Sequence, residues 1–253
     1  MIPDGIPLFE FDSDPRAVLE PTHEGLNLQL PKKCVFAFLG DAIDAYAARV
    51  QARTASHFIS ATKRYPVYVV RHRGADVALC QAPVGAAPAA QLLDWLIGYG
   101  AREIVSAGSC GGLVPFPEGV FLIPRRALRD EGASYHYAPP TRYIDVSERA
   151  RRAIQETMRA HGLPYQEVLT WSTDGFYRET RAKVEARRRE GCAVVEMECA
   201  ALAACAGFRG AIWGMILYTA DSLANAEQYD ARAWGEDARE YALTLCLDAV
   251  LNV

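Results

Sequence analysis

Short apolar runs alternate along the chain with longer segments in which hydrophobic residues recur at helical spacing. The run at 34–39 predicts a buried strand that ends at Gly40, and an alanine-rich helix is predicted from about Ala42. Strands that alternate with helices in this way are typical of an α/β sheet with helices on both faces. Further strands are predicted at 67–70, 77–82, 101–107, 119–123, 168–173 and 211–218, and further helices at 88–99, 147–161, 181–190 and 231–251.

Polar residues gather where these predicted strands end. Ligands of α/β sheets collect beyond the carboxyl ends of the strands, so these segments together predict a ligand site. The glycine cluster at 108–112 is expected to end its strand in a turn, where backbone N–H groups and the Ser109 hydroxyl can approach an anion or a sugar. The other segments of this kind lie at 40–44, 174–179, 196–198 and 218–221.

Two carboxylates flank Met197 at the start of an alanine-rich run. Acids one residue apart cannot share a helix face, so Glu196 and Glu198 must point into different environments. One of them is then free to meet a ligand, and a carboxylate can accept two hydrogen bonds from a vicinal diol such as that of ribose. The alternative interpretation is an acidic first helical turn that complements the helix dipole.

Composition bounds the class of protein. At 253 residues and 51% apolar content, the chain is large enough for one α/β domain, predicted at 31–253 after an extended arm at 1–30. The net charge of −4 argues against nucleic acid as a partner. No membrane-spanning run or signal peptide is recognised, so we expect a cytoplasmic protein. Seven cysteines without a C-x-x-C pair predict reduced thiols and no metal site.

Three motifs, at 108–113, 130–139 and 195–202, together resemble the nucleoside phosphorylase superfamily. Its members include uridine phosphorylase, hexameric bacterial purine nucleoside phosphorylase and the methylthioadenosine/adenosylhomocysteine nucleosidases, and uridine phosphorylase looks closest. The resemblance implies a single α/β domain around a mixed, partly barrel-like sheet. It also implies a homo-oligomer, a dimer or a ring of dimers, that acts on a small-molecule nucleoside without a cofactor, with inorganic phosphate as the co-substrate where phosphorolysis occurs.

The resemblance also assigns roles around the sugar. Met197 and Glu198 match the residues that hold the ribose, with Glu198 on the 2'- and 3'-hydroxyls. Ser109, supported by Gly40 and Gly108, matches the part of the site that touches phosphate or an attacking water.

Roles around the base follow from the same resemblance. Phe176 matches an aromatic residue that packs against the base, and Arg178 and Glu179 occupy the neighbourhood that reads uracil in uridine phosphorylases. Asp221 matches the acid that helps to protonate a purine leaving group at N7, although an ungapped alignment puts Thr219 there. Asp221 favours a purine, whereas the loop at 130–139 favours the uridine branch.

The nucleophile is left open between water and phosphate. Phosphorylases of this type bind phosphate through arginines, but the two matching positions hold Asp44 and Ser106. In the nucleosidases an acid at the Asp44 position activates water, so Asp44 is a candidate catalytic residue and the pair favours water over phosphate. The alternatives are a phosphate-dependent uridine or purine phosphorylase and a non-catalytic nucleoside-binding protein on the same scaffold.

Overall fold

Ten β-strands and six α-helices build one α/β domain within residues 5–225 and 227–253, the part of the chain that the computed structural model describes. The strands are β1 Lys33–Ala37, β2 Arg53–Ile59, β3 Arg64–His72, β4 Ala75–Gln81, β5 Glu103–Gly112, β6 Phe121–Asp130, β7 Tyr143–Asp145, β8 Gln166–Thr173, β9 Cys192–Glu196 and β10 Ile212–Ser222. The helices are α1 Ala42–Arg49, α2 Ala86–Gly98, α3 Glu148–Ala160, α4 Arg181–Arg189, α5 Cys199–Phe208 and α6 Arg239–Asn252.

The sheet is mixed, and half of it closes on itself. Its strand order is β10-β6-β8-β9-β5-β1-β4-β3-β2, and β10 also pairs with β5. Strands β5, β10, β6, β8 and β9 therefore form a ring, as the predicted partly barrel-like sheet requires. Strand β5 is shared by the two parts of the sheet, since its first residues pair with β1 and its last residues pair with β9.

Alternating residues of the central strands fill two hydrophobic cores, one on each face of the sheet. In β1, Cys34 and Phe36 face a core that contains the apolar side of α2 and α5. Val35 and Ala37 face the opposite core, which α3 and α6 cover. Helices on both faces confirm the predicted α/β class.

Some predicted elements differ from the structure. The glycine cluster does not form a turn, because the residues at 108–112 continue β5 and pair with β10 and β9. Likewise, the segment at 218–221 lies inside β10. The last helix begins at Arg239 and not near Ala231, and the strand β2 was not predicted. In β5 and β10, the pairing of the two strands across a long stretch of chain adds order that the local pattern does not show.

The described part of the N-terminal arm, residues 5–30, lies against α2. The Trp95 Nε1 donates a hydrogen bond to Glu24 Oε2 at 2.9 Å. At the end of the arm, the Leu30 amide donates to the Tyr99 carbonyl at 2.8 Å. The arm is therefore held on the domain by side-chain and backbone hydrogen bonds. None of the described helices combines the length and the apolar character that crossing a membrane requires.

Candidate active site

A cavity of about 550 Å³ opens at the carboxyl ends of the parallel strands. Segments that follow or end β1, β4, β5, β8, β9 and β10 contribute its walls, so residues from across the whole chain meet there. Its lining residues are Phe38, Gly40, Gln81, Val84, Gly108, Ser109, Cys110, Gly111, Phe176, Glu179, Val195, Glu196, Met197, Glu198, Tyr218, Asp221, Trp234 and Arg239.

Glu196 is held by a complete set of hydrogen bonds at the junction of β9 and α5. Its Oε2 accepts from the amides of Glu198 and Cys199 at 2.7 and 2.6 Å. Its Oε1 accepts from the hydroxyls of Ser172 and Thr170 at 2.5 and 3.1 Å. The carboxylate thereby satisfies free amides at the start of α5, and its role is to fix this turn.

Glu198 lies on the other side of the junction and faces the cavity with Met197. The residue is 6% exposed, and its Oε1 accepts a hydrogen bond from the Gly85 amide at 2.5 Å. Burial and the nearby charge of Glu196 raise the pKa of Glu198 to about 8. The two acids therefore occupy different environments, as their spacing predicts.

A second pair of carboxylates lies at another part of the cavity wall. Burial raises the pKa of Asp221 above its ordinary value, although the nearby Tyr229 hydroxyl opposes this by hydrogen bonding to the carboxylate. Burial and the charge of Asp221 raise the pKa of Glu179 to about 7. Phe176 lines the cavity beside them with a side chain that is 40% exposed. This part of the cavity can therefore offer an apolar surface and a proton donor to the same ligand.

Gly111 of β5 allows Asp221 to approach the strand. A Cβ on Gly111 would lie 3.2 Å from Asp221 Oδ1 and 2.8 Å from Leu223 Cδ1, which is too close without a shift of the surrounding structure. Ser109, two residues earlier, is exposed within the cavity wall. Glycine is needed here for close packing over an extended strand, and not for the turn that the sequence predicts.

Three of the predicted site residues do not line the cavity. Asp44 lies on the exposed side of α1, where its Oδ1 accepts from the Tyr68 hydroxyl at 3.0 Å. Ser106 is fully buried in β5, and its Oγ accepts from Trp213 Nε1 at 2.9 Å. Arg178 is exposed beside the cavity and is not part of its wall.

The structure therefore does not bring Asp44 and Ser106 to the nucleophile region in which they were predicted. The Ser106 hydroxyl already accepts a hydrogen bond from the buried Trp213 side chain. Asp44 lies in α1 with an exposed side chain and is not part of the cavity wall. The loop at 130–139, which favours a uridine-type base, does not line the cavity either.

Sequence reasoning missed several residues that the structure adds to the site, among them Arg239, Trp234 and Gln81. Arg239 and Trp234 reach the cavity from the start of α6 and the segment that precedes it. The sequence predicts that this segment belongs to a helix that begins near Ala231. Such a helix gives no reason to expect either side chain in the cavity. Gln81, at the end of β4, also lines the cavity, and its Oε1 is buried with no hydrogen-bond partner among the residues that the structure describes.

Within the described residues, no group of three or more His, Cys, Asp and Glu side chains has the arrangement of a metal site. The seven cysteines are all buried free thiols.

Comparisons with known proteins agree with this geometry. The phosphorylase superfamily matches residues 32–251. A guanosine phosphorylase from Halorubrum lacusprofundi is 26% identical over 208 residues, which cover 77% of this chain and 84% of that protein.

Two solved structures share the fold. A uridine phosphorylase from Vibrio fischeri ES114 superimposes with a TM-score of 0.77 at 19% identity, covering 89% of this chain and 94% of that one. An AMP nucleosidase from Bacteroides thetaiotaomicron gives a TM-score of 0.71 at 21% identity, with 88% of each chain covered.

The family match spans almost the whole domain and confirms the resemblance that the three motifs indicate. The chain therefore belongs to the phosphorylase superfamily, and it is an enzyme of the nucleoside phosphorylase and nucleosidase type.

Proposed function

We propose that the enzyme cleaves the N-glycosidic bond of a purine nucleoside and releases the free base. The observation that carries this proposal is the placement of two separate carboxylate groups on one cavity wall. Glu198 is buried and free of ion pairs among the described residues, and Asp221 and Glu179 form a second group with raised pKa values.

In this proposal the ribose lies against Met197 and Glu198. The Glu198 carboxylate accepts hydrogen bonds from the two sugar hydroxyls, and the substrate diol offers two donors at matching spacing. Because Glu196 is already saturated with donors, Glu198 is the acid that remains available to the sugar.

The base lies against Phe176 and near Asp221. Cleavage of the glycosidic bond leaves negative charge on the base, which a proton on a neighbouring carboxyl group can neutralise. Burial raises the pKa of Asp221 and so favours its protonated form, and a purine presents N7 as the acceptor of that proton. A pyrimidine has no equivalent ring nitrogen, and this difference supports a purine.

A uridine substrate is the second candidate, because Glu179 occupies the base-reading neighbourhood of uridine phosphorylases and lines the cavity. The support for it is weaker since Arg178 and the loop at 130–139 lie outside the cavity wall.

The test is the release of free base from adenosine, inosine, guanosine and uridine, measured by chromatography with and without phosphate. We expect turnover of at least one purine nucleoside. Asp221→Asn should lower kcat for that substrate about 100- to 1,000-fold with a small change in KM, the range for loss of a general acid.

Asp76→Asn is the matched control, because Asp76 is an exposed carboxylate paired with Arg71 far from the cavity. It should leave kcat unchanged. If uridine is cleaved and no purine nucleoside is, the purine assignment is rejected. If no nucleoside of the panel is cleaved, the glycosidic cleavage itself is rejected, and a nucleoside-binding protein is favoured.

A further inference from the structure

Trp234 is an exposed indole in the wall of the cavity. The chain has four tryptophans, and the structure describes all of them. Trp95, Trp171 and Trp213 are at most 2% exposed, whereas Trp234 is 44% exposed. A large apolar side chain in a cavity wall gains free energy when a ligand covers it, because its surface is then removed from water. The indole is therefore a candidate ligand contact.

The backbone that carries Trp234 is held in an unfavourable conformation. Trp234 has a φ of +57°, in the left-handed region that favours glycine. A bulky residue keeps such a conformation only where the surrounding structure imposes it. Glu118 imposes it here, since its Oε1 accepts hydrogen bonds from the amides of Ala233 and Gly235 at 3.0 Å each. One carboxylate thus fixes the backbone on both sides of Trp234.

The ring of Phe176 is a neighbour of this indole in the cavity wall. The two ring centroids lie 6.5 Å apart, and the ring planes meet at 42°. A planar base needs about 3.5 Å to the face of each ring, and so about 7 Å between two parallel rings. Small rotations of the two side chains make the rings parallel. The spacing therefore suits one aromatic plane between Phe176 and Trp234.

Tyr229 connects the indole to the carboxylate that acts on the base in the proposed reaction. Its ring centroid lies 6.5 Å from that of Trp234. Its hydroxyl forms a hydrogen bond with the carboxylate of Asp221. A base that lies between the indole and Phe176 is therefore also close to Asp221.

We propose that Trp234 and Phe176 form an aromatic clamp on the base, and that Trp234 selects purines over pyrimidines. The inference rests on the proposed function, because it adds a specificity-determining residue to that nucleoside site. The sequence resemblance assigns a role at the base to Phe176 and none to Trp234.

The size of the base decides how much of the indole it covers. Bases stack on aromatic side chains whatever hydrogen-bonding groups they carry, because every base has a π-face. A bicyclic purine covers more of an indole than a monocyclic pyrimidine does, and it buries more apolar surface. Trp234 therefore favours a purine through stacked area, whereas Asp221 favours it through the position of N7.

The first experiment follows tryptophan fluorescence while adenine, hypoxanthine or uracil is added. These free bases have no glycosidic bond, so the measurement does not depend on turnover. We expect both purines to quench the wild-type emission, because a stacked base quenches an exposed indole and the other three tryptophans are buried. Calorimetry should show uracil binding about tenfold more weakly, since it covers less of the ring.

Two substitutions of Trp234 separate the ring from the fluorophore. Leucine and phenylalanine meet the same backbone conformation as tryptophan, so both variants should fold. Trp234→Phe should lose the quench and keep the purine affinity within about threefold, since a ring remains. Trp234→Leu should weaken purine binding about 10- to 100-fold in calorimetry, the range for loss of one stacked ring, with a smaller loss for uracil.

Phe9→Leu is the matched control. Phe9 is an exposed aromatic residue that packs against Tyr135, and neither residue belongs to the described wall of the cavity. This variant also replaces an exposed ring with leucine, and it should leave both the affinity and the quench unchanged.

Equal purine affinity in wild type and Trp234→Leu would overturn the clamp. Purine binding without a quench of the wild-type emission would overturn it too, as would the absence of binding by all three bases. If the purines bind as expected and no nucleoside is cleaved, the proposed cleavage fails and the clamp stands. If purine nucleosides are cleaved with the same KM in wild type and Trp234→Leu, the cleavage stands and the clamp fails.

Discussion

Replacing Glu198 with glutamine should make the protein more stable at alkaline pH and much less active. Glu198 is 6% exposed, and burial with the charge of Glu196 raises its pKa to about 8 from an ordinary 4.5. The folded state therefore holds a proton that the unfolded chain releases above pH 4.5. By linkage, this acid lowers the free energy of unfolding as the pH rises from 4.5 to about 8.

The difference between the pKa of Glu198 in the folded protein and in the unfolded chain sets how much stability is lost. At ~1.4 kcal/mol per pH unit, the cost of ionising Glu198 in the folded state is at most about 5 kcal/mol. Glu198 borders an open cavity, and water that enters there relieves part of this cost. We expect the stability gained by Glu198→Gln over wild type to grow by about 2 to 3 kcal/mol between pH 5 and pH 9.

Urea unfolding of both proteins at a series of pH values measures this difference directly. Glutamine keeps an oxygen for the Gly85 amide, so the turn should be preserved. Activity at pH 9, where Glu198 is ionised, should fall about 100-fold, because an amide offers one acceptor to the diol where an ionised carboxylate offers two. A stability difference that stays constant from pH 5 to pH 9 would refute the reasoning.

Glu190→Gln is a control of opposite sign. Hydrogen bonds from Arg142 hold the pKa of Glu190 at about 2, with further help from Tyr143 and Arg187. A lowered pKa contributes stability above the unfolded value of 4.5 that is lost only as the pH falls. The Glu190→Gln protein should therefore be less stable than wild type by a constant amount across the range from pH 5 to pH 9.

Three further changes test other parts of the structure. Glu196→Gln should destabilise the fold by about 2 to 3 kcal/mol in urea unfolding, because an amide NH₂ would face a buried donor in place of an acceptor oxygen. Asp248 is buried and accepts hydrogen bonds from His72 and His161, which hold its pKa below 3.8 against the effect of burial. Asp248→Asn should therefore lower the melting temperature at pH 6 and show a smaller deficit as the pH falls below 3.8. Gly111→Ala should lower kcat about tenfold in the base-release assay, since the new methyl group displaces the neighbouring acid.

The sequence is sufficient to predict the parts of the site that depend on residues close together in the chain. The spacing of Glu196 and Glu198 predicts two environments, and the structure has one acid saturated by donors and the other facing the cavity. The carboxyl ends of the predicted strands likewise indicate the edge of the sheet at which the cavity lies. The roles of these residues with substrate, and the oligomeric state, stay predictions.

Features with a weak local pattern or with a distant pairing partner were not predictable from the sequence. The strand β2 carries the residues Arg53–Ile59, which are mostly polar and half exposed at the sheet edge, so its pattern is weak. The polar end of β10 is ordered because β5 pairs with it, and the position of Arg239 depends on the whole segment between β10 and α6. A guanidinium at the start of a helix has no local signature of a cavity residue.

The pairing of β5 with β10 also has a consequence for folding. These strands are separated by about a hundred residues of chain, and closing so long a loop is slow compared with forming local helices and hairpins. The cavity takes residues from Phe38 to Arg239, so it exists only after the ring has closed. A nucleoside can therefore bind and stabilise only the fully folded domain. A chain truncated before β10 lacks the complete cavity, so a nucleoside cannot stabilise it.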